Sequence, residues 1–195
     1  MSSPDTLPER YIRSDPFIET LMKYTPVIAS AFDLGAGNGD IASLLLKAGI
    51  QMKCLDFQSR PPHVSDDVLW ISRDFRRLND SWLTLIDAEI LICRNVLHFY
   101  RREWVSKTLF PTLLSAMPSL KYIALQAFNA SPQPAFDIAQ TSYWTPTELT
   151  ILAPGFKMHT TDETVVITPD VNGDLRTFFL SMAFLTKIFP TPHSS

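Results

Sequence analysis

Apolar residues in this chain fall into short blocks divided by polar turns, and the blocks switch between helical and strand spacing. Phe17, Ile18, Leu21 and Met22 share one helical face. Asp15 ahead of them is a good N-cap and Pro16 suits the first helical position, so a short helix is predicted there, placed to cover a cleft. The apolar run Val27 to Leu34 reads as a strand, and Ile41, Leu44, Leu45 and Ala48 line the helix after it, which Gly49 terminates. Ile50 to Leu55, Val68 to Ser72, Ala88 to Cys93 and Tyr122 to Phe128 read as further strands, each running into polar residues. Helical stretches around Ser81 to Leu85 and about Glu103 to Ala116 separate the later ones.

Strands alternating with helices of this length imply a parallel sheet covered on both faces, a doubly wound α/β domain. The last third changes character. Thr145-Pro146-Thr147-Glu148 is a capping box with proline at the first helical position, predicting a helix through Leu149 to Leu152 that stops at Gly155. Phe156 to Thr168 and Leu175 to Thr186 are rich in β-formers and are joined through Asn172-Gly173, a strong hairpin turn. The expected fold is a mostly parallel, seven-stranded, Rossmann-like sheet closed by a C-terminal antiparallel hairpin. Residues 1–195 read as a single domain with loose termini at about 1–13 and 190–195.

Composition narrows the function. The 195 residues are 46% hydrophobic and 19% charged, enough apolar matter for one core. A formal charge of −3 with no basic stripe argues against nucleic acid as a partner. No run approaches the roughly 18 apolar residues of a membrane span, and Met1 to Arg10 lacks the apolar stretch of a signal peptide, so a cytoplasmic setting and no membrane partner are expected. Cys54 and Cys93 sit inside apolar runs as buried free thiols, and no metal-ligand spacing occurs.

The chemistry concentrates after the first strand, in Asp33-Leu34-Gly35-Ala36-Gly37-Asn38-Gly39. Ligands of doubly wound sheets bind beyond the carboxyl ends of the strands, and glycines there let the backbone turn sharply and a ligand come close. Asp56 follows Gly35 by 21 residues, near the spacing of a carboxylate that binds ribose hydroxyls. A nicotinamide dinucleotide would meet repulsion between its pyrophosphate and Asp40, where the fingerprint wants glycine or alanine. S-adenosylmethionine carries an ammonium and a sulfonium instead, which Asp33 and Asp40 would attract.

The same segment resembles the first motif of class I S-adenosylmethionine-dependent methyltransferases, and the element order from Val27 to Thr186 is similar to theirs. The resemblance implies S-adenosylmethionine as cofactor, held by Asp33, Gly35, Ala36, Gly37, Asn38 and Gly39. It also implies Asp56 on the ribose, Phe57 as a further cofactor-binding residue, Asp74 and Phe75 at the adenine, and Asn95 and Val96 beside the methionine part. Within the class, the segment from Thr145 through Phe156, then Asn172-Gly173 and Phe178 to Lys187, is similar to small tellurite-resistance and thiopurine-type enzymes, implying a small-molecule substrate. Absence of an Asp/Asn-Pro-Pro-Tyr/Phe tetrapeptide argues against base methylation.

His98, a few residues beyond the fourth strand, is the candidate general base, and an alternative is a histidine satisfied within its loop. Phe99, Tyr100, Tyr143 and Trp144 are candidate walls of a substrate pocket, with core packing as the other reading. Arg73, Arg76 and Arg77 form a small basic cluster, read as a solvated face. Two other functions stay open at this level: a non-catalytic cofactor-binding or scaffold protein of the same fold, and an NAD(P)-dependent oxidoreductase, which Asp40 disfavours.

Overall fold

A computed structural model of the chain describes residues 15–77, 80–130, 142–169 and 175–188. The terminal stretches at 1–13 and 190–195 and the Asn172-Gly173 turn lie outside them. Helix α1 spans Pro16–Tyr24, strand β1 Ser30–Leu34, α2 Asp40–Lys47, β2 Gln51–Asp56, β3 Leu69–Ser72, α3 Asp80–Leu83 and β4 Ile90–Arg94. Three abutting helical segments, Arg102–Trp104, Val105–Leu109 and Phe110–Ala116, make up α4. Strand β5 (Tyr122–Ala130), helix α5 (Pro146–Thr150) and strands β6 (Phe156–Pro169) and β7 (Leu175–Lys187) complete the order.

The seven strands form one sheet in the order β3-β2-β1-β4-β5-β7-β6. Neighbours from β3 to β5 pair in parallel, whereas β7 pairs antiparallel with both β5 and β6. Side chains alternate across the strands, so each inner strand feeds two cores. Phe32, Leu91, Cys93, Ile123 and Leu125 enter the core beneath α4 and α5, while Ala31, Ile90, Ile92, Ala124 and Phe184 enter the one beneath α1 and α2. Burial on both faces explains why these strands read as continuous apolar runs. Cys54 and Cys93 are free and buried in these cores. No helix among the described residues is long and apolar enough to cross a membrane.

Three local outcomes depart from the pattern read along the chain. Strand β1 begins at Ser30 rather than Val27, because Thr25–Val27 forms a 3₁₀ turn and the Ala29 N–H is taken by the Glu89 carboxylate instead of the sheet. Helix α4 is π-helical at Val105–Leu109. Pro111 follows, and a proline both lacks the N–H for an i→i−4 bond and crowds the carbonyl four residues back, here that of Lys107; a wider turn relieves both. Trp144 is a core residue, only 1% exposed. Its backbone N–H bonds the Phe128 carbonyl at 2.8 Å, its indole N–H bonds Ser142 Oγ at 2.9 Å, and Arg102 lies over its ring. It therefore anchors the start of α5 rather than walling a pocket. The capping box beside it is formed as expected, with Thr145 and Glu148 each accepting from the other's backbone N–H.

Trp144→Ala is expected to cost about 3–5 kcal/mol of stability, the range for deleting a buried aromatic ring. Urea unfolding measures it, and a loss under about 1 kcal/mol would remove Trp144 from the core assignment.

Candidate functional site

The carboxyl ends of β1, β2 and β4 surround a cleft of about 570 Å³. Its base is set by the glycine loop. The N–H groups of Gly35 and Ala36 bond the Leu55 carbonyl at the end of β2, at 2.7 and 3.3 Å. Gly35 also has to pass close to β4's loop: a Cβ there would lie 2.2 Å from Val96 Cγ2, so no larger residue fits without displacing it. Gly37, at φ +53°, meets nothing within 4 Å of where its Cβ would be, and that open space belongs to the cleft.

Asp56 holds the loop in place. Its Oδ2 accepts the Gly37 N–H at 2.9 Å and its Oδ1 accepts the Gln58 N–H at 2.9 Å. Each carboxylate oxygen keeps further acceptor capacity, so the group can brace two loops and still receive hydroxyls from a ligand.

Asp33, next to last on β1, is 2% exposed and accepts no hydrogen bond from a described residue. Burial pushes its carboxyl up to about 7; Arg94 opposes that rise and Asp56 adds to it. Arg94, at the end of β4, is itself engaged elsewhere. It donates to Gln126 Oε1 at 2.8 Å and to Asp15, and it lies over the Phe17 ring. Asp15 in turn caps α1 through the Phe17 N–H at 2.9 Å, so the first helix is fastened to the rim of the cleft. Asn95 follows β4 with φ +53°, a left-handed conformation that asparagine tolerates better than most side chains, and its buried Oδ1 has no partner. The base of the cleft can thus stabilise a cation at Asp33 and receive a donor at Asn95.

The structure gathers most of the sequence-nominated residues. Asp33, Gly35, Ala36, Gly37, Asp56, Phe57, Phe75, Asn95, Val96, Phe99 and Tyr100 all line the cleft. Phe57 and Phe99 stand exposed there, at 73% and 52%, while Phe75 packs at 4.7 Å on Tyr100. Burial holds the Tyr100 phenol neutral, pushed up to about 12. Others lie off the lining. Asn38 is exposed and uses its carbonyl on His63, and Gly39 is buried at the N-cap of α2. Asp74 turns away to chelate Arg76 through both oxygens, at 2.5–3.0 Å. Tyr143 hands its carbonyl to Arg102.

His98 is not on the lining either. It sits buried in a 3₁₀ turn, ring to ring with Phe99 at 3.9 Å and Phe128 at 4.3 Å, with no partner for Nδ1. Desolvation lowers it to about 4, so it is neutral at physiological pH. Arg94, Asp40, Ile41 and Gln58 line the cleft without having been singled out as site residues in the sequence, though Asp40 had been read for its charge. A charged residue interrupting an apolar strand end was the available signal for Arg94.

No protein-family model matches the sequence, and no curated protein matches it. Solved structures do. A SAM-dependent methyltransferase from Anabaena variabilis superposes with a TM-score of 0.65 at 12% identity, over 90% of this chain and 85% of that one. The 1,6-didemethyltoxoflavin-N1-methyltransferase of Burkholderia thailandensis, solved with S-adenosylhomocysteine, gives 0.61 at 17% identity, over 97% and 94%. TehB from Haemophilus influenzae gives 0.60 at 14%, over 87% of this chain and 62% of its own.

Two titrations should pull stability in opposite directions. Between pH 3.8 and about 7 the folded state keeps a proton on Asp33 that the unfolded chain has released, so stability falls as pH rises through that window. Asp33→Asn is expected to remove this fall and to raise stability at about pH 8 by on the order of 1–3 kcal/mol. For His98 the unfolded chain binds the extra proton between about 4 and 6.5, so stability is lost as pH drops through that range. His98→Leu is expected to abolish the acid-side loss. Urea midpoints at several pH values measure both, and a variant profile parallel to wild type would refute the corresponding assignment.

Strand order, the loop after β1 and these superpositions together establish that the chain has the fold of class I S-adenosylmethionine-dependent methyltransferases.

Proposed function

We propose that this chain is an S-adenosylmethionine-dependent methyltransferase acting on a small molecule. The observation that carries the proposal is Asp33: a buried carboxylate without a hydrogen-bond partner among the described residues, at the base of a cleft whose backbone is open at Gly37. Such a group is costly to ionise unaided and gains most from a cationic ligand. An ammonium suits Asp33, ribose hydroxyls suit the remaining acceptor sites of Asp56, and the exposed ring of Phe57 with the Phe75–Tyr100 pair offers an apolar surface for a purine. Structural neighbours that are methyltransferases support the same reading.

When bound, S-adenosylmethionine supplies an electrophilic methyl group on a sulfonium. In-line displacement at that methyl would ask little of the protein beyond positioning and exclusion of water. The residues that do this are Asp33 and Asn95 at the base and Val96 against Gly35, which fixes the distance between the β1 and β4 loops. The described lining has no histidine, and His98 is held neutral behind Phe99. This favours acceptors that arrive already nucleophilic, such as thiolates or oxyanions, over those that need a protein base.

Calorimetric titration with S-adenosylhomocysteine, which keeps the ammonium, tests the cofactor. Because binding a cation draws the proton off Asp33, affinity is expected to rise about tenfold between pH 6 and 8, and Asp33→Asn should flatten that slope. Absence of binding at any pH would end the methyltransferase reading. Binding without turnover across thiols, phenols, carboxylates and oxyanions would instead favour a cofactor-binding scaffold.

A further inference from the structure

Beside the first cleft, across Phe99 and Tyr100, lies a second one of about 660 Å³. Its aromatic surface is Phe99, Tyr100 and Trp104, with Tyr100 and Trp104 at 5.4 Å between ring centres. Its charged lining is Arg76, Arg101 and Lys107 against Glu103. Lys107 is matched by Glu103 at 2.7 Å. Arg76 spends Nε and Nη2 on Asp74, and its Nη1 has no partner among the described residues. Arg101 has no ion pair among the described residues.

We infer that this second cleft binds a flat aromatic molecule carrying a negatively charged group, seated apart from the adenosyl ligand. The exposed ring of Phe99 beside the partly exposed Tyr100 and Trp104 gives a planar ligand an apolar surface to lie on, and the Arg101 guanidinium, without an ion pair among the described residues, favours an anion over a neutral ring. The volume falls in the range of small-molecule sites, and the few cations, set in a chain of net charge −3, are too sparse to follow a nucleic-acid backbone. Asp74, expected from the sequence to face adenine, acts here as the residue that orients Arg76.

The test is calorimetric titration of the full chain with 1-naphthyl phosphate, with 1-naphthol as the neutral control. The phosphate is expected to bind saturably below about 1 mM, and the naphthol at least about tenfold more weakly. Arg101→Gln, at an exposed position, should weaken the phosphate about fivefold or more without changing the melting temperature, and saturating S-adenosylhomocysteine should not displace it. Lack of saturation, equal affinity for naphthol, indifference to Arg101→Gln or displacement by S-adenosylhomocysteine would each overturn the assignment. Saturable phosphate binding in a protein that ignores S-adenosylhomocysteine would leave this site standing and remove the methyltransferase reading.

Discussion

Two backbone N–H groups from different loops end on the carboxylate of Asp56, one from Gly37 and one from Gln58. Charge-assisted bonds of this kind are about twice as strong as neutral ones, and here they tie the tip of β2 to the loop after β1. The same loop hangs from the Leu55 carbonyl and touches Val96 beyond β4 where Gly35 has no side chain. Three strand ends thereby share one small volume. Without the Asp56 brace, the cleft would lose its base, because no other hydrogen bond among the described residues holds Gly37.

Charges around that base are distributed unevenly. Arg94 has two polar partners and a ring beneath it, and through Asp15 it holds α1 over the sheet. Asp33 has no hydrogen-bond donor among the described residues, and the nearby Arg94 charge offsets only part of its desolvation penalty. Stability is lowered at the one position where a cationic ligand would restore it, a common trade between folding and binding. His98 is the reverse case, a polar group enclosed by aromatic rings and kept neutral, which places it with the packing of Phe99 and Phe128 rather than with proton transfer.

Much of this was legible along the chain because it depends on short-range order. The Asp15-Pro16 start of α1, the Thr145–Glu148 capping box and the apolar strands each follow from neighbouring residues, and all formed. The glycine loop and Asp56 were legible for the same reason: a strand end, a turn and a fixed spacing to the next strand. Trp144 was not. A loop has no periodicity, so nothing in the order of residues separates an aromatic that walls a pocket from one that plugs a core. Asp74 is a related case: its partner Arg76 lies only two residues away, but that pairing is set by the local turn and not by the order of residues.

The sequence by itself determined the alternation of strands and helices, the antiparallel ending and the loop on which a ligand would rest, because hydrophobic period, caps and glycines act over a few residues. Tertiary structure alone decided which charges are matched. Whether Arg94 reaches Asp15, whether Asp33 finds a hydrogen-bond donor and whether Arg101 faces a second cleft depend on groups brought together from distant positions, and burial then sets what each charge costs.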